Sequence, residues 1–212
     1  MAKGDAAAGS VSLDLIPASL LAPRLRRVAA VAVGLGVLVG VGVGFFTSAG
    51  MAVLVGAVIA LPTAVSSLLT MRRRIWLAGN VLHTRTAVRS RSVDISAVVS
   101  TELVVRAARV SQVLLRVGDG RTLVTVPLAL YTESGGRELE VLALRSLADA
   151  LASSELAPAL AMSTVLVGQL RAEARGAGLE ERPLYRAVRL AKDAGRVPQT
   201  VLTDQEVVGL TD

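Results

Sequence analysis

The hydrophobic pattern divides the chain into one long uncharged run and a series of shorter, alternating segments. From Val28 to Met71, over 44 residues, there is no Asp, Glu, Lys, Arg or His. About 20 apolar residues at 1.5 Å rise cross a bilayer core, so the run is long enough for two crossings. Residues 47–50 form a small polar break. The pattern therefore predicts two transmembrane helices, residues 28–46 and 51–71, joined as a hairpin.

Arginines on both sides of this run predict its orientation. Arg24, Arg26 and Arg27 precede the first span, and residues 72–74 directly after the second are all arginine. Because positive residues stay on the cytoplasmic side, the prediction is a multi-pass protein of the cell inner membrane with both termini in the cytoplasm. A cleaved signal peptide is rejected, since 23 residues precede the basic cluster and a second apolar run follows the first.

Glycines recur every fourth residue along the first predicted span. Gly36, Gly40 and Gly44 share one helical face, and Gly56 lies on a similar face of small residues in the second span. Small residues at this spacing let helix backbones approach closely, so these four glycines are predicted helix-packing positions. Packing of the two spans within one chain is favoured. A homo-oligomer formed through glycines off this face, Gly34 and Gly42, is the alternative.

The spacing of Gly36, Gly40 and Gly42 also matches a dinucleotide-binding turn of dehydrogenases. Such a turn follows a strand and needs an acidic residue about 20 positions further on. No acidic residue occurs between Asp14 and Asp94. The glycines are therefore not interpreted as a phosphate loop, and no cofactor is predicted.

Residues 72–153 show the alternation of short antiparallel strands. Two turn signals, Gly79-Asn80 and Gly118-Asp119-Gly120, separate segments in which apolar and polar residues alternate. An apolar stripe then predicts a helix. The predicted strands are residues 75–77, 81–88, 91–95, 99–106, 110–117 and 121–127, and the predicted helix is residues 137–152.

The segments "RRRIWLAGNVLHTR", "RSVDISAVVSTELV" and "VGDGRTLVTVPL", followed by that helix, resemble a known family. They are similar to the pleckstrin-homology-like domain of small bacterial, actinobacterial-type membrane proteins in which two transmembrane helices lead directly into the domain. The resemblance covers about 80 of the 212 residues. It implies a small antiparallel barrel that binds partners or lipid headgroups and has no catalytic residues.

The inventory of reactive side chains favours a protein that is not an enzyme. There is no cysteine, and the one histidine, His83, falls on a predicted strand and is interpreted as structural or exposed. With scattered carboxylates as the only other ligands, no metal site is predicted. Aromatic residues make up 2% of the chain, so stacking on single-stranded nucleic acid is not expected, and no nucleic-acid partner is predicted.

Two groups of arginines are the candidate binding residues. Arg85, Arg89 and Arg91 lie in a stretch without acidic residues, which suggests contact with anionic phospholipid or a solvated edge. The second group is on a helix that Pro183 begins and Gly195 ends, opposite its apolar face. Its members are Arg182, Arg186 and Arg189. A capping box at Thr203 and Glu206 predicts a last short helix.

Together these features predict a membrane α-helical hairpin plus a cytoplasmic α+β domain with a helical C-terminal tail. The predicted regions are an N-terminal segment 1–27, the hairpin 28–71, the pleckstrin-homology-like domain 72–153 and the helical region 154–212. The predicted function is non-catalytic recruitment of a protein partner, or contact with anionic lipid. An accessory subunit of a membrane transport or secretion complex is the alternative.

Overall fold

The computed structural model describes residues 9–16, 18–45, 48–71, 74–86, 89–133, 135–195 and 198–210. Contacts divide the chain into two compact units. The helical unit consists of Ile16–Arg73 and Arg85–Arg89, and the α+β unit consists of Met1–Leu15, Arg74–Thr84 and Ser90–Asp212. Three features predicted from the sequence lie outside the described residues: Arg72 and Arg73, the first residue of the 47–50 turn, and the end of the predicted strand at Val88.

The helical unit is built from two helices that pack on each other, α1 (Ala18–Gly44) and α2 (Ala49–Met71). They meet at Gly36 and Gly56. A Cβ added to either glycine would lie 2.7 Å from the carbonyl oxygen of the other, which is closer than any side chain tolerates. The backbones come this close because neither residue has a side chain.

The prediction of a transmembrane hairpin is wrong. Among the described residues, none of the helices combines the length and the apolar character that a membrane crossing requires. The predicted integral membrane contact and the predicted multi-pass inner-membrane location with cytoplasmic termini are corrected with it.

The first sheet of the α+β unit has four strands in sequence order: β1 (Ser10–Ser12), β2 (Arg74–Ala78), β3 (Val81–Arg85) and β4 (Ser90–Asp94). The predicted turn at Gly79-Asn80 joins β2 and β3, and the φ of +58° at Gly79 favours glycine there. β1 pairs antiparallel with β2, with Val11 opposite Leu77. Alternation places Ile75, Leu77 and Leu82 in the core and leaves their neighbours on the other face.

The second sheet has five strands in the order β8-β7-β6-β5-β9, each antiparallel to its neighbours. The turn between β6 and β7 is the one predicted at Gly118-Asp119-Gly120. The Asp119 carboxylate accepts the backbone N–H of Thr122 at 2.6 Å, and Gly120 has a φ of +83°. The strands are β5 (Ser100–Arg106), β6 (Ser111–Gly118), β7 (Leu123–Thr132), β8 (Gly135–Glu138) and β9 (Gln199–Val201).

Four helices complete the α+β unit: α3 (Val141–Ala152), α4 (Ala157–Ala174), α5 (Pro183–Asp193) and α6 (Asp204–Val208). Helices α4 and α5 pack on β5, and α3 packs on α4, so strands and helices share one hydrophobic core. The predicted start of α5 at Pro183, the end before Gly195 and the capping box of Thr203 with Glu206 are confirmed. Short 3₁₀ helices lie at Ile95–Ala97 and Leu179–Glu181.

The predicted single small barrel is also wrong, because the described strands form two antiparallel sheets. Strands from both ends of the chain, β1 and β9, extend these sheets at their edges. Arg137 and Glu138, predicted as the start of a helix, instead belong to β8, which pairs with β7. The helix consequently begins at Val141. The described residues therefore form an α+β fold with two antiparallel sheets and six α-helices.

Candidate functional site

Arg182 lies at the N-cap of α5 and reaches back to strand β8. Its guanidinium donates to Glu138 Oε2 at 2.6 Å, and its Nε donates to the carbonyl of Ala177 at 3.3 Å. The Glu138 side chain is only 9% exposed. A carboxylate this buried needs partners, because burying an unpaired charge is costly. Arg182 therefore serves within the chain as the partner of Glu138.

Tyr131 of β7 is the second partner of the same carboxylate. Its hydroxyl donates to Glu138 Oε1 at 2.6 Å, and its ring meets that of Tyr185 edge-on with 5.2 Å between centroids. Burial raises the pKa of the Tyr131 hydroxyl far above its usual range, and the hydrogen bond to Glu138 adds to the rise. Tyr131 consequently remains a hydrogen-bond donor over the whole ordinary pH range.

Arg186 and Arg189 of α5 also have partners within the α+β unit. Arg186 donates to the carbonyls of Leu210 and Gly209, at 3.0 and 3.3 Å, and so holds the segment after α6. Arg189 forms an ion pair with Glu180, which raises the pKa of Arg189. All three arginines predicted as one binding face are therefore engaged with other parts of the chain.

A groove lies between α4, the 3₁₀ helix before α5, the start of α5 and the chain near Leu210. We call it the C-terminal groove, and it has a volume of about 620 Å³. Two contacts fix its walls. Gln169 of α4 accepts the backbone N–H of Leu184 at 3.2 Å, and Ser163 of α4 donates to the carbonyl of Ala148 in α3 at 2.8 Å. The groove is lined by Ser163, Thr164, Val167, Gly168, Arg171, Arg175, Glu180, Glu181, Pro183, Arg186 and Leu210.

Arg171 and Arg175 are the arginines of this groove that sequence reasoning missed. Arg171 lies in the last turn of α4 and Arg175, four residues further on, is the C-cap of that helix; both side chains are exposed. Within the described ranges, neither has an ion pair. The sequence feature that could have identified them is their spacing of four residues in a segment predicted to be helical. The groove carries three arginines and two glutamates, and one of those, Glu180, is already paired with Arg189.

The other predicted arginines do not line the C-terminal groove. Arg85 is the last residue of β3, Arg89 lies in the connection to β4, and Arg91 is in β4. All three side chains are exposed. The structure shows no ion pair between any of them and another described residue. Their role in binding stays a prediction.

The four predicted packing glycines lie on α1 and α2. Gly36 and Gly40 are buried, and Gly56 faces both of them across the helix contact. Gly44 ends α1, and its surroundings lie outside the described residues. By contrast, a Cβ added at Gly34 or Gly42 would meet nothing within 4 Å. On α1, therefore, Gly36 lies in the contact with α2, whereas Gly34 and Gly42 lie next to open space.

His83 stacks on the one tryptophan of the chain. The rings of His83 and Trp76 are 5.2 Å apart between centroids and nearly parallel, at 12°. The two side chains lie on the outer face of the first sheet, opposite the buried Leu77 and Leu82. In the part of the chain that the structure describes, no three His, Cys, Asp or Glu side chains are grouped to hold a metal ion.

Comparisons with known proteins give no relative for this chain. No family model, no curated protein and no solved structure matches it. The resemblance to the two-span proteins with a pleckstrin-homology-like domain is therefore corrected: the spans are not found among the described residues, and no family model supports the similarity.

Proposed function

We propose that this protein is a non-catalytic binding protein that recruits an acidic segment of a partner protein at the C-terminal groove. The observation that carries the proposal is the pair Arg171 and Arg175. Both are exposed at the groove, and neither has an ion pair with another described residue. Arginine recognises carboxylates with two parallel hydrogen bonds, so an extended chain of Asp and Glu is the matching ligand.

The charge distribution of the groove supports an acidic ligand rather than a basic one. Glu180 is neutralised by Arg189, and Arg186 donates to backbone carbonyls without losing its charge. Glu181 is then the remaining acid in the lining, set against three arginines. Like charges facing each other across an interface cost binding energy, so a basic segment is disfavoured.

The test measures binding of a fluorescently labelled hexaglutamate peptide to the full chain by fluorescence anisotropy. At about 0.5–0.7 kcal/mol for each exposed ion pair, Arg171→Ala with Arg175→Ala should weaken binding about 5- to 10-fold. Raising the salt should weaken binding of the unchanged protein as well.

A matched control removes the same charge elsewhere. Arg109→Ala with Arg121→Ala changes two exposed arginines that do not line the groove and have no ion pair with another described residue. This control variant should bind the peptide like the unchanged protein. If both double variants lose affinity equally, binding follows the net charge of +6 and not the groove, and the proposal is wrong.

A further inference from the structure

We propose that the helical unit docks onto the helical unit of a second copy of this chain through an apolar groove between α1 and α2. This hairpin groove has a volume of about 650 Å³, and its described lining consists of Val, Leu, Ala and Gly. Its floor is formed by Gly36, Gly40 and Gly56. Because these residues have no side chains, α1 and α2 approach closely along the floor, and the side chains of the rims project above it.

The rims of the hairpin groove supply the complementary shape. Val37 on α1 and Val53 and Leu61 on α2 line it and are 59%, 72% and 57% exposed. A two-fold axis places the rim of each copy over the floor of the other, so one surface supplies both knobs and holes. The hairpin groove of a second copy therefore has a shape that fits the hairpin groove of the first.

The helical unit exposes a large amount of apolar surface, which favours an occupant that covers it. Fourteen large apolar side chains of the helical unit are between 46% and 83% exposed. At roughly 60–120 Å² for each complete side chain, the exposed fractions amount to about 500–1,000 Å² spread over the two helices. The largest apolar patch on an ordinary monomer is about 300–600 Å².

The area available matches what a stable dimer buries. A helix of 23 residues such as α2 is about 35 Å long, and two helices side by side are about 20 Å wide. One face of the hairpin therefore covers about 700 Å², close to the roughly 800 Å² that each partner buries in a standard interface.

The first measurement is the mass of the full chain by light scattering, in aqueous buffer. The expected species is a dimer. Val37→Glu with Val53→Glu places two charges on the groove rims, and burying an unpaired charge should raise the dimer dissociation constant about 100-fold. Val31→Glu with Val58→Glu is the matched control, since both residues are equally exposed and do not line the groove. This control should remain dimeric.

A second measurement does not depend on charged substitutions. The chain has no cysteine, so Val37→Cys and Val31→Cys each introduce a single reactive site. A short bismaleimide should cross-link two copies through Cys at the groove rim and not through Cys at the control position. Circular dichroism of each variant reports whether the helices are retained.

Three results would overturn the proposal. The first is a monomer in aqueous buffer that the bismaleimide does not cross-link at either position. The second is equal weakening by both charged pairs, which indicates general apolar adhesion. The third is a chain that stays dispersed only with detergent or lipid vesicles and is monomeric there, because lipid then covers the groove.

Discussion

Replacing Arg182 with methionine removes the guanidinium that holds the Glu138 carboxylate, while the apolar part of the side chain is largely kept. The carboxylate then retains the Tyr131 hydroxyl as its partner in the described residues. Since the Glu138 side chain is only 9% exposed, water replaces the lost partner poorly. The α+β unit should therefore lose unfolding free energy well beyond the value of a surface ion pair.

The size of the loss follows from the burial of the two groups. Breaking a fully buried ion pair by removing one partner costs about 3–5 kcal/mol. The Arg182 side chain is 23% exposed, which allows some solvent screening and places the expected loss near the lower end, about 3 kcal/mol. At about 2–4 °C for each kcal/mol in a chain of this size, the melting temperature should fall by about 6–12 °C.

A double-mutant cycle separates this ion pair from other effects of the substitution. Glu138→Gln keeps an acceptor for Tyr131 and removes the buried charge. The variant carrying both changes should be more stable than Arg182→Met alone, because the stranded carboxylate is gone. The expected coupling energy is about 2 kcal/mol, within the range for residues in direct contact.

Trp76 provides the readout, because it is the one tryptophan and lies in β2 of the α+β unit. Its fluorescence during urea unfolding of the full chain follows that unit. The matched control is Arg116→Met, which removes a half-exposed ion pair at 3.7 Å to Glu102 and should cost under about 1 kcal/mol. If Arg182→Met costs no more than Arg116→Met, the carboxylate is well solvated and the reasoning is refuted.

Three further predictions concern glycines and the buried tyrosine. Gly136→Ala should cost about 1–3 kcal/mol, because the new methyl would overlap the Tyr131 ring, whereas Gly135→Ala, with nothing within 4 Å, should be neutral in the same urea assay. Gly36→Ala should lower the melting temperature of the helices followed by circular dichroism, since the new Cβ would lie 2.7 Å from a backbone oxygen. Gly42→Ala should leave that melting temperature unchanged, because a Cβ there would meet nothing within 4 Å. Burial raises the pKa of Tyr131 in the folded protein, so above pH 10 only the unfolded chain ionises this residue. The unfolding free energy should therefore fall by up to about 1.4 kcal/mol for each pH unit, and Tyr131→Phe should remove that contribution. If the slope of unfolding free energy against pH is the same in Tyr131→Phe, this account is wrong.

Local signals in the sequence predicted local structure well. The Gly118-Asp119-Gly120 turn, the start of α5 at Pro183 and the capping box of Thr203 were all readable because each depends on residues within a few positions of one another. Hydrogen bonds over two or three residues, and a glycine with positive φ, need no distant partner. The sequence therefore contained the whole physical cause of these features.

Pairing between distant segments was not readable from the same patterns. β9 is three residues long, with Val201 opposite Val104, and β1 is equally short. A three-residue strand has too few positions to show alternation, and it forms because a partner strand offers hydrogen bonds. The strand β8 was missed for a related reason, since two of its four residues are glycines, which disfavour strands in isolation.

The uncharged run from Val28 to Met71 shows how little the absence of charged residues predicts about the surroundings of a helix. Absence of charge predicted that these residues are helical and apolar, and α1 and α2 do cover most of them. It did not show what surrounds the helices. The glycine spacing was compatible with packing inside one chain and with packing between chains, because both require the same small residues at the same helical positions.

The arginines of α5 show why a shared helical face does not by itself identify a binding surface. Helical spacing predicted Arg182, Arg186 and Arg189 opposite the apolar side of α5, but the same spacing gives no information on the residues that they contact. Glu138 is 44 residues from Arg182 in the chain, and the carbonyl of Leu210 is 24 residues from Arg186. Once those partners are occupied, the arginines of the C-terminal groove whose side chains have no ion pair or hydrogen-bond partner shown among the described residues are Arg171 and Arg175. Loss of hexaglutamate binding on removing Arg186 would therefore combine damage to the fold with loss of charge, and only Arg171 and Arg175 test recognition directly.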